Sequence, residues 1–127
     1  MSFETDLQAR LSGDEAIFAL VDHRIFPAVA PPETIRPYCV YLLINKVQIY
    51  SHSGCSALSQ FDVQISCYGD SYELAKQVAV AVSQALESWA GSEKIQSAFQ
   101  IKEQDLYEKE TQSYQVQVVF SIIYNEI

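Results

Sequence analysis

The sequence is short of positive charge. Its 127 residues hold only eight Lys and Arg against sixteen Asp and Glu, a formal charge of −8 and a pI near 4.5. The basic residues (Arg10, Arg24, Arg36, Lys46, Lys76, Lys94, Lys102 and Lys109) are scattered and form no patch. Binding a nucleic-acid backbone needs clustered cations to neutralise phosphates, and so does adhesion to an anionic membrane, so both are set aside. No apolar run approaches the roughly 18 residues needed to span a bilayer. The start, MSFETDLQARL, carries acids and lacks the basic stretch and apolar block of a signal peptide. Cysteine is scarce too. Three copies without paired spacing exclude a disulfide framework and point to a reducing cytoplasm. With only four Gly and four Pro there is no linker long enough to divide the chain, and no repeat.

What is present suits one globular domain over residues 1–127. The chain is 49% hydrophobic and 19% charged, and its length allows burial of roughly two thirds of the unfolded surface. Phe3, Leu7 and Leu11 recur at a helical step of four. Ser12, with Glu15 three residues on, has capping-box spacing, which predicts a second helix over about 13–21. RIFPAVAPPETIRPY, residues 24–38, is too rich in proline for a helix and reads as an extended connector, with 24–26 as a candidate short edge strand. Residues 38–50 and 60–68 are rich in β-branched and aromatic residues. In the second run Phe61, Val63, Ile65 and Cys67 alternate with Asp62, Gln64 and Ser66, which predicts one buried sheet face and an antiparallel hairpin. If that hairpin centres near residue 53, Cys39 and Cys67 face each other.

Residues 69–91 carry the plainest helix signal. Asp70 or Ser71 can cap it, Gly91 follows its end, and Tyr72, Ala75, Ala79, Val82, Leu86 and Trp89 recur at steps of three and four. Residues 98–108 and 113–125 read as two closing strands joined by a polar turn, with Tyr114, Val116, Val118, Phe120, Ile122 and Tyr124 on one face. The expected fold is α+β, an antiparallel four-stranded sheet with one long helix packed on one face, in the order α-α-β-β-α-β-β.

Chemistry is sparse. YSHSGCS, residues 50–56, places His52 three residues from Cys55, but a cysteine nucleophile needs an oxyanion site and an oriented base, and neither is evident. The stretch Tyr50, Ser51, His52, Ser53, Gly54, Cys55 and Ser56 is better read as a polar hairpin tip. Zinc spacing of the C-x₂-C type is absent; H-x₂-C at 52–55 is the nearest approach, and Cys39 and Cys67 read as small core residues. Asp14 with Glu15, Glu108 with Glu110, and Asp105 suit capping and solvated turns. No phosphate loop, dinucleotide fingerprint or serine-hydrolase elbow occurs. No catalytic residue, metal or cofactor is expected. Eight tyrosines, most of them in or beside the expected strands, fit either an interface or plain strand preference.

VDHRIFP at 21–27, the proline-rich connector, RPYCVYLLI at 36–44, Gly54, and FDVQISCYGDSYELAKQVAVAVSQAL at 61–86 together resemble the tail-completion, or tail-terminator, proteins of long-tailed phages and prophages. DLYEKETQSYQVQVVFSIIYN, residues 105–125, is similar to the closing hairpin of that family, and His23 departs from the small residue expected there. The resemblance covers about residues 5–124. It implies a structural protein and no enzyme: a ring, typically a hexamer, that closes the tail tube and joins it to the head connector. Its partners would be copies of itself, the tail tube protein and the head connector protein, with DNA passing through unbound and no membrane involved. It would be found in the host cytoplasm during assembly and then in the virion at the head–tail junction. On this reading residues 50–56 contact a neighbour, the tube or the lumen. Acids on exposed loops, Glu103, Asp105, Glu108 and Glu110, would line or flank the lumen. The competing expectations are a connector adaptor or stopper, a small thiol enzyme using Cys55 and His52, and a ligand-binding module with a closed apolar pocket between helix and sheet.

Overall fold

Two short helices begin the chain, α1 at Phe3–Ser12 and α2 at Glu15–Val21. The computed structural model describes residues 3–51, 54–92 and 94–125, with no side-chain description for 50, 51 and 54–57. The step of four puts Phe3, Leu7 and Leu11 on the buried side of α1 as expected. The cap of α2 differs from the expected Ser12–Glu15 box. Ser12 stays within α1, where Gln8 Nε2 donates to its Oγ at 2.9 Å. Gly13 N donates to the Ala9 carbonyl, and Asp14 becomes the cap, its Oδ1 accepting from Ile17 N at 3.0 Å. Aspartate in extended backbone is as good a cap as serine, and it stands directly before the first helical residue.

The sheet has five strands: β1 at Ile25–Pro27, β2 at Tyr38–Ser51, β3 at Gly54–Gly69, β4 at Ile95–Glu108 and β5 at Ser113–Asn125, in spatial order β1-β2-β3-β5-β4. The expected four antiparallel strands are therefore corrected to a mixed sheet of five. The candidate edge strand pairs parallel to β2, Ile25 beside Cys39 and Pro27 beside Tyr41. It is held by Arg24, whose carbonyl accepts from Cys39 N at 3.0 Å while its Nε donates to the Pro37 carbonyl at 3.0 Å. The remaining neighbours are antiparallel, and Cys39 faces Cys67 as the hairpin centre predicted.

Helix α3, Tyr72–Glu87, starts at Ser71, whose Oγ accepts from Leu74 N at 3.1 Å. Its buried side is rich in alanine (Ala75, Ala79, Ala81, Ala85), with Val78, Val82 and Leu86 between them. Small side chains let the helix lie close to β3, β5 and β4. The approach is tightest at Gly69, where an added Cβ would lie 2.8 Å from Ala75 N. The expected single packed helix is also corrected. Phe3, Leu7, Leu11, Ile17 and Val21 join the same core, so three helices share the layer. Arg10 ties α1 to the end of α3, its Nε donating to the Ala85 carbonyl at 3.0 Å and its terminal nitrogen to Ser88 Oγ at 2.8 Å.

Strand alternation sorts the two sheet faces. Phe61, Val63, Ile65, Cys67, Val116, Val118, Phe120, Ile122 and Tyr124 face the helices and are buried. Gln60, Asp62, Gln64, Tyr68, Gln115 and Gln117 lie on the opposite face, which no helix covers among the described residues.

Candidate functional site

The strand registers define two ends. Tyr38 pairs with Tyr68, Gly69 with Tyr114, and Tyr107 with Tyr114, all at one end. Leu58 pairs with Asn125, and Ile95 with Tyr124, at the other. The residues singled out in the sequence fall at opposite ends, so they form no common site.

Residues 50, 51 and 54–56 lie at the second end. Among the described residues Leu58 is the last of β3 to pair with β5, and β2 and β3 continue as a two-stranded ribbon with Tyr50 opposite Cys55 and Ser51 opposite Gly54. At about 3.4 Å per residue, residues 54–57 carry it about 14 Å past the body of the sheet. The expected tip is thereby narrowed, because pairing runs through Ser51 and Gly54 where a polar turn was expected. Serine and glycine read as loop, but cross-strand hydrogen bonding overrides that weak preference. His52 and Ser53, and the side chains of Tyr50, Ser51, Cys55 and Ser56, lie outside the described residues, and so does the competing reading of a thiol enzyme using Cys55 and His52.

The acids lie toward the first end. Glu103 and Asp105 fall in the strand read over 98–108, not on the exposed loops the lumen reading gave them; in β4 their register opposite Val118 and Val116 turns them to the helix side. There Lys76 of α3 bridges them, with Nζ 2.6 Å from Glu103 Oε2 and 2.9 Å from Asp105 Oδ1. The Tyr72 hydroxyl donates to Asp105 Oδ2 at 2.9 Å, and Gln100 Nε2 to Glu103 Oε1 at 3.3 Å. The hydrogen bond from Lys76 holds the Asp105 carboxyl below its ordinary range, helped by Tyr72. Asp105 and then Glu103 hold the Lys76 ammonium above its ordinary range. Glu108 ends β4, and Glu110 lies in the exposed turn at 109–112.

Removing the cation with Lys76→Met leaves two carboxylates on one strand face. The variant should melt slightly lower at neutral pH, and the gap should shrink in high salt because these groups are solvent-accessible. Asp105's lowered pKa contributes stability above its unfolded value, near 3.8, and that contribution is lost as pH falls through the folded value. Lys76's raised pKa contributes below its unfolded value, near 10.5, and is lost as pH rises through the folded value. Wild type and variant should therefore converge in acid and in strong base. Thermal melts across pH check this; a gap that does not shrink at all from neutral pH into strong acid, or into strong base, would refute the pairing.

Tyrosine concentrates at this same end. Tyr38 and Tyr68 stack on the uncovered face with centroids 4.6 Å apart, and burial raises both phenol pKa values. On the helix side Tyr114 meets Tyr107 at 4.7 Å and Tyr72 at 6.4 Å. Tyr72 and Tyr107 are about half exposed. Sequence reading missed Tyr72 and Lys76 as a pair on one helix face. Their spacing of four is the available signal, but their strand partners come about 30 residues later.

Cys39 and Cys67 are buried and face each other, and a hydrogen bond with Cys39, followed by burial, pushes the Cys67 thiol well up. Such thiols are poor nucleophiles. Maleimide should label neither in the native protein and both in denaturant, read by mass spectrometry of peptides; rapid native labelling at either would contradict their burial.

Between α1 and the outer side of β2 lies an open apolar groove of about 190 Å³, lined by Phe3, Leu7, Pro27, Tyr41, Leu42 and Leu43 among others. It opens at the sheet edge and is not the closed pocket a ligand-binding module would show.

Three comparisons bear on this geometry. The family model described as tail completion protein gp17 matches residues 5–125. A solved chain described as part of the virion of a native gene transfer agent particle has a similar fold, with a TM-score of 0.81 at 20% identity, over 97% of this chain and 94% of that one. No curated protein matches.

Proposed function

Because the chain belongs to the tail completion protein gp17 family, we propose that it closes the finished tail tube and joins it to the head connector, acting as a ring of six identical subunits and by protein–protein docking. The observation that carries this reading is the family match across nearly the whole chain, which is read as one domain. The two unlike ends of the sheet suit a joining part. A ribbon of Ser and Gly backbone at one end and an acid- and tyrosine-rich surface at the other give two partners two different chemistries. Tail tube protein and head connector protein are the proposed partners, met in the host cytoplasm before the protein enters the virion.

DNA must pass such a ring without sticking. Glu103 and Asp105 share a cation with each other, so their combined field is weakened. The lumen role is therefore placed on Glu108 and Glu110, whose charge would repel phosphates within about 8 Å at physiological salt. A ring with both residues on its outer wall would exclude that role. No catalytic chemistry or cofactor enters this proposal.

Electron microscopy of the protein with and without purified tail tubes tests the function. Rings capping the tube ends are expected. A protein that never decorates tube ends would sink the reading, and capture by heads alone would favour a connector adaptor or stopper.

A further inference from the structure

We propose that copies of this chain join edge to edge, the β4 edge of one pairing antiparallel with β2 of the next from Leu42 onward; this rests on the ring reading above. The sheet order leaves two long outer strands. At one edge, β4 runs from Ile95 to Glu108. At the other, β1 covers β2 only at Cys39, Val40 and Tyr41, so β2 beyond Tyr41 has no outer strand among the described residues. A long outer strand is a template for another chain unless something blunts it.

Direction and chemistry agree. Three successive antiparallel pairings, β2 to β3, β3 to β5 and β5 to β4, make β4 antiparallel to β2. A neighbour set alongside with its helices on the same side therefore presents β4 to β2 in the antiparallel sense. The two patches differ, which is the head-to-tail contact a closed ring requires, and the sheet's twist supplies a constant rotation per copy.

Each edge carries exposed apolar side chains: Leu42, Ile44 and Val47 on β2, and Phe99, Ile101 and Leu106 on β4. Ile44 and Ile101 both sit at breaks in register. The single charge of β2 is Lys46, whereas β4 carries Glu103, Asp105 and Glu108 against Lys102 and the bridging Lys76 of α3, so even after that bridge the joint brings opposite net charge together.

The groove beside α1 gives the joint a stop. Antiparallel pairing brings the end of the neighbour's β4 to the part of β2 just past its pairing with β1, where Tyr41, Leu42 and Leu43 line that groove. Tyr107, about half exposed on the helix-bearing face, is the side chain this direction delivers. A cavity of about 150 Å³ accepts a benzene ring, so the groove accommodates a phenol.

The test is cross-linking in a Cys55→Ser background, with tail tubes present. Copies carrying Ile101→Cys are mixed with copies carrying Ile44→Cys or Val47→Cys and treated with a short bis-maleimide. Mixed dimers are expected in at least one mixture, in excess of self-linked Ile101→Cys. Separately, Ile101→Asp should lower ring yield about tenfold or more with an unchanged circular dichroism spectrum. Rings at tube ends with no mixed dimer, or with only self-linked Ile101→Cys, would overturn the edge joint while leaving the function standing. Tube ends that stay bare in the micrographs would overturn both.

Discussion

Replacing Phe120 with alanine is expected to cost about 3–5 kcal/mol of folding stability. Phe120 is the largest of the fully buried side chains among the described residues. It sits in β5 between Val63 of β3 and Gln100 of β4, on the face covered by the helices. Truncating it removes a large transfer term and leaves a cavity beneath a helix already drawn close by its alanines, so little collapse can fill the space. A domain of this size has about 5–15 kcal/mol in total, so the variant should fold only marginally and melt about 10–20 °C lower. Urea titration and thermal melts measure this. Val80→Ala, on the exposed side of α3, is the control and should stay within about 0.5 kcal/mol of wild type. A loss below about 1 kcal/mol for Phe120→Ala would mean that the centre of the sheet is loosely packed.

The second large effect is functional. Replacing residues 51–56 with Asn-Gly, a pair suited to a tight hairpin turn, should abolish or strongly weaken tube capping and leave the fold intact. The described core ends well before the ribbon, at Leu43 on β2 and Phe61 on β3. Among the described residues, pairing with β5 stops at Leu58. Shortening the ribbon therefore removes main-chain bonds between two strands and leaves the described core in place. The melting temperature should move by no more than about 5 °C, the equivalent of about 1 kcal/mol. Capping is counted in micrographs. Normal capping by a stably folded variant would make the ribbon a connector only.

Much of this arrangement is legible in the chain because several local signals agree. Ser71 and the alanine-rich periodicity specify α3, which closes at Ser88, ahead of the Gly91 expected to end it, and strict alternation fixes the inward residues of β3 and β5. The symmetry of the hairpin even placed Cys39 opposite Cys67. Legibility fails where a distant partner decides. Three residues of β1 are a strand only because Arg24 and β2 hold them, and no local pattern encodes a parallel neighbour. Glu103 and Asp105 read as strand residues, but their partner is not legible because nothing nearby in sequence announces Lys76. The ribbon reads as a turn because its residues favour one and only the facing strand changes the outcome. The uncovered sheet edges are invisible for the same reason, since an edge exists only once the order of strands is known.

The packing of Phe3 makes the protein self-reporting. Its ring stacks on Phe61 at 4.2 Å and lies 6.3 Å from Trp89, the only tryptophan. Trp89 is almost wholly buried, just past the end of α3, so its emission samples the contact between the first helix and the last turn of the third. Detachment of α1 should redden and quench that emission while the sheet persists in circular dichroism. One optical signal thus follows the hold of the first helix on the body of the sheet, in the free subunit and during capture by a tube.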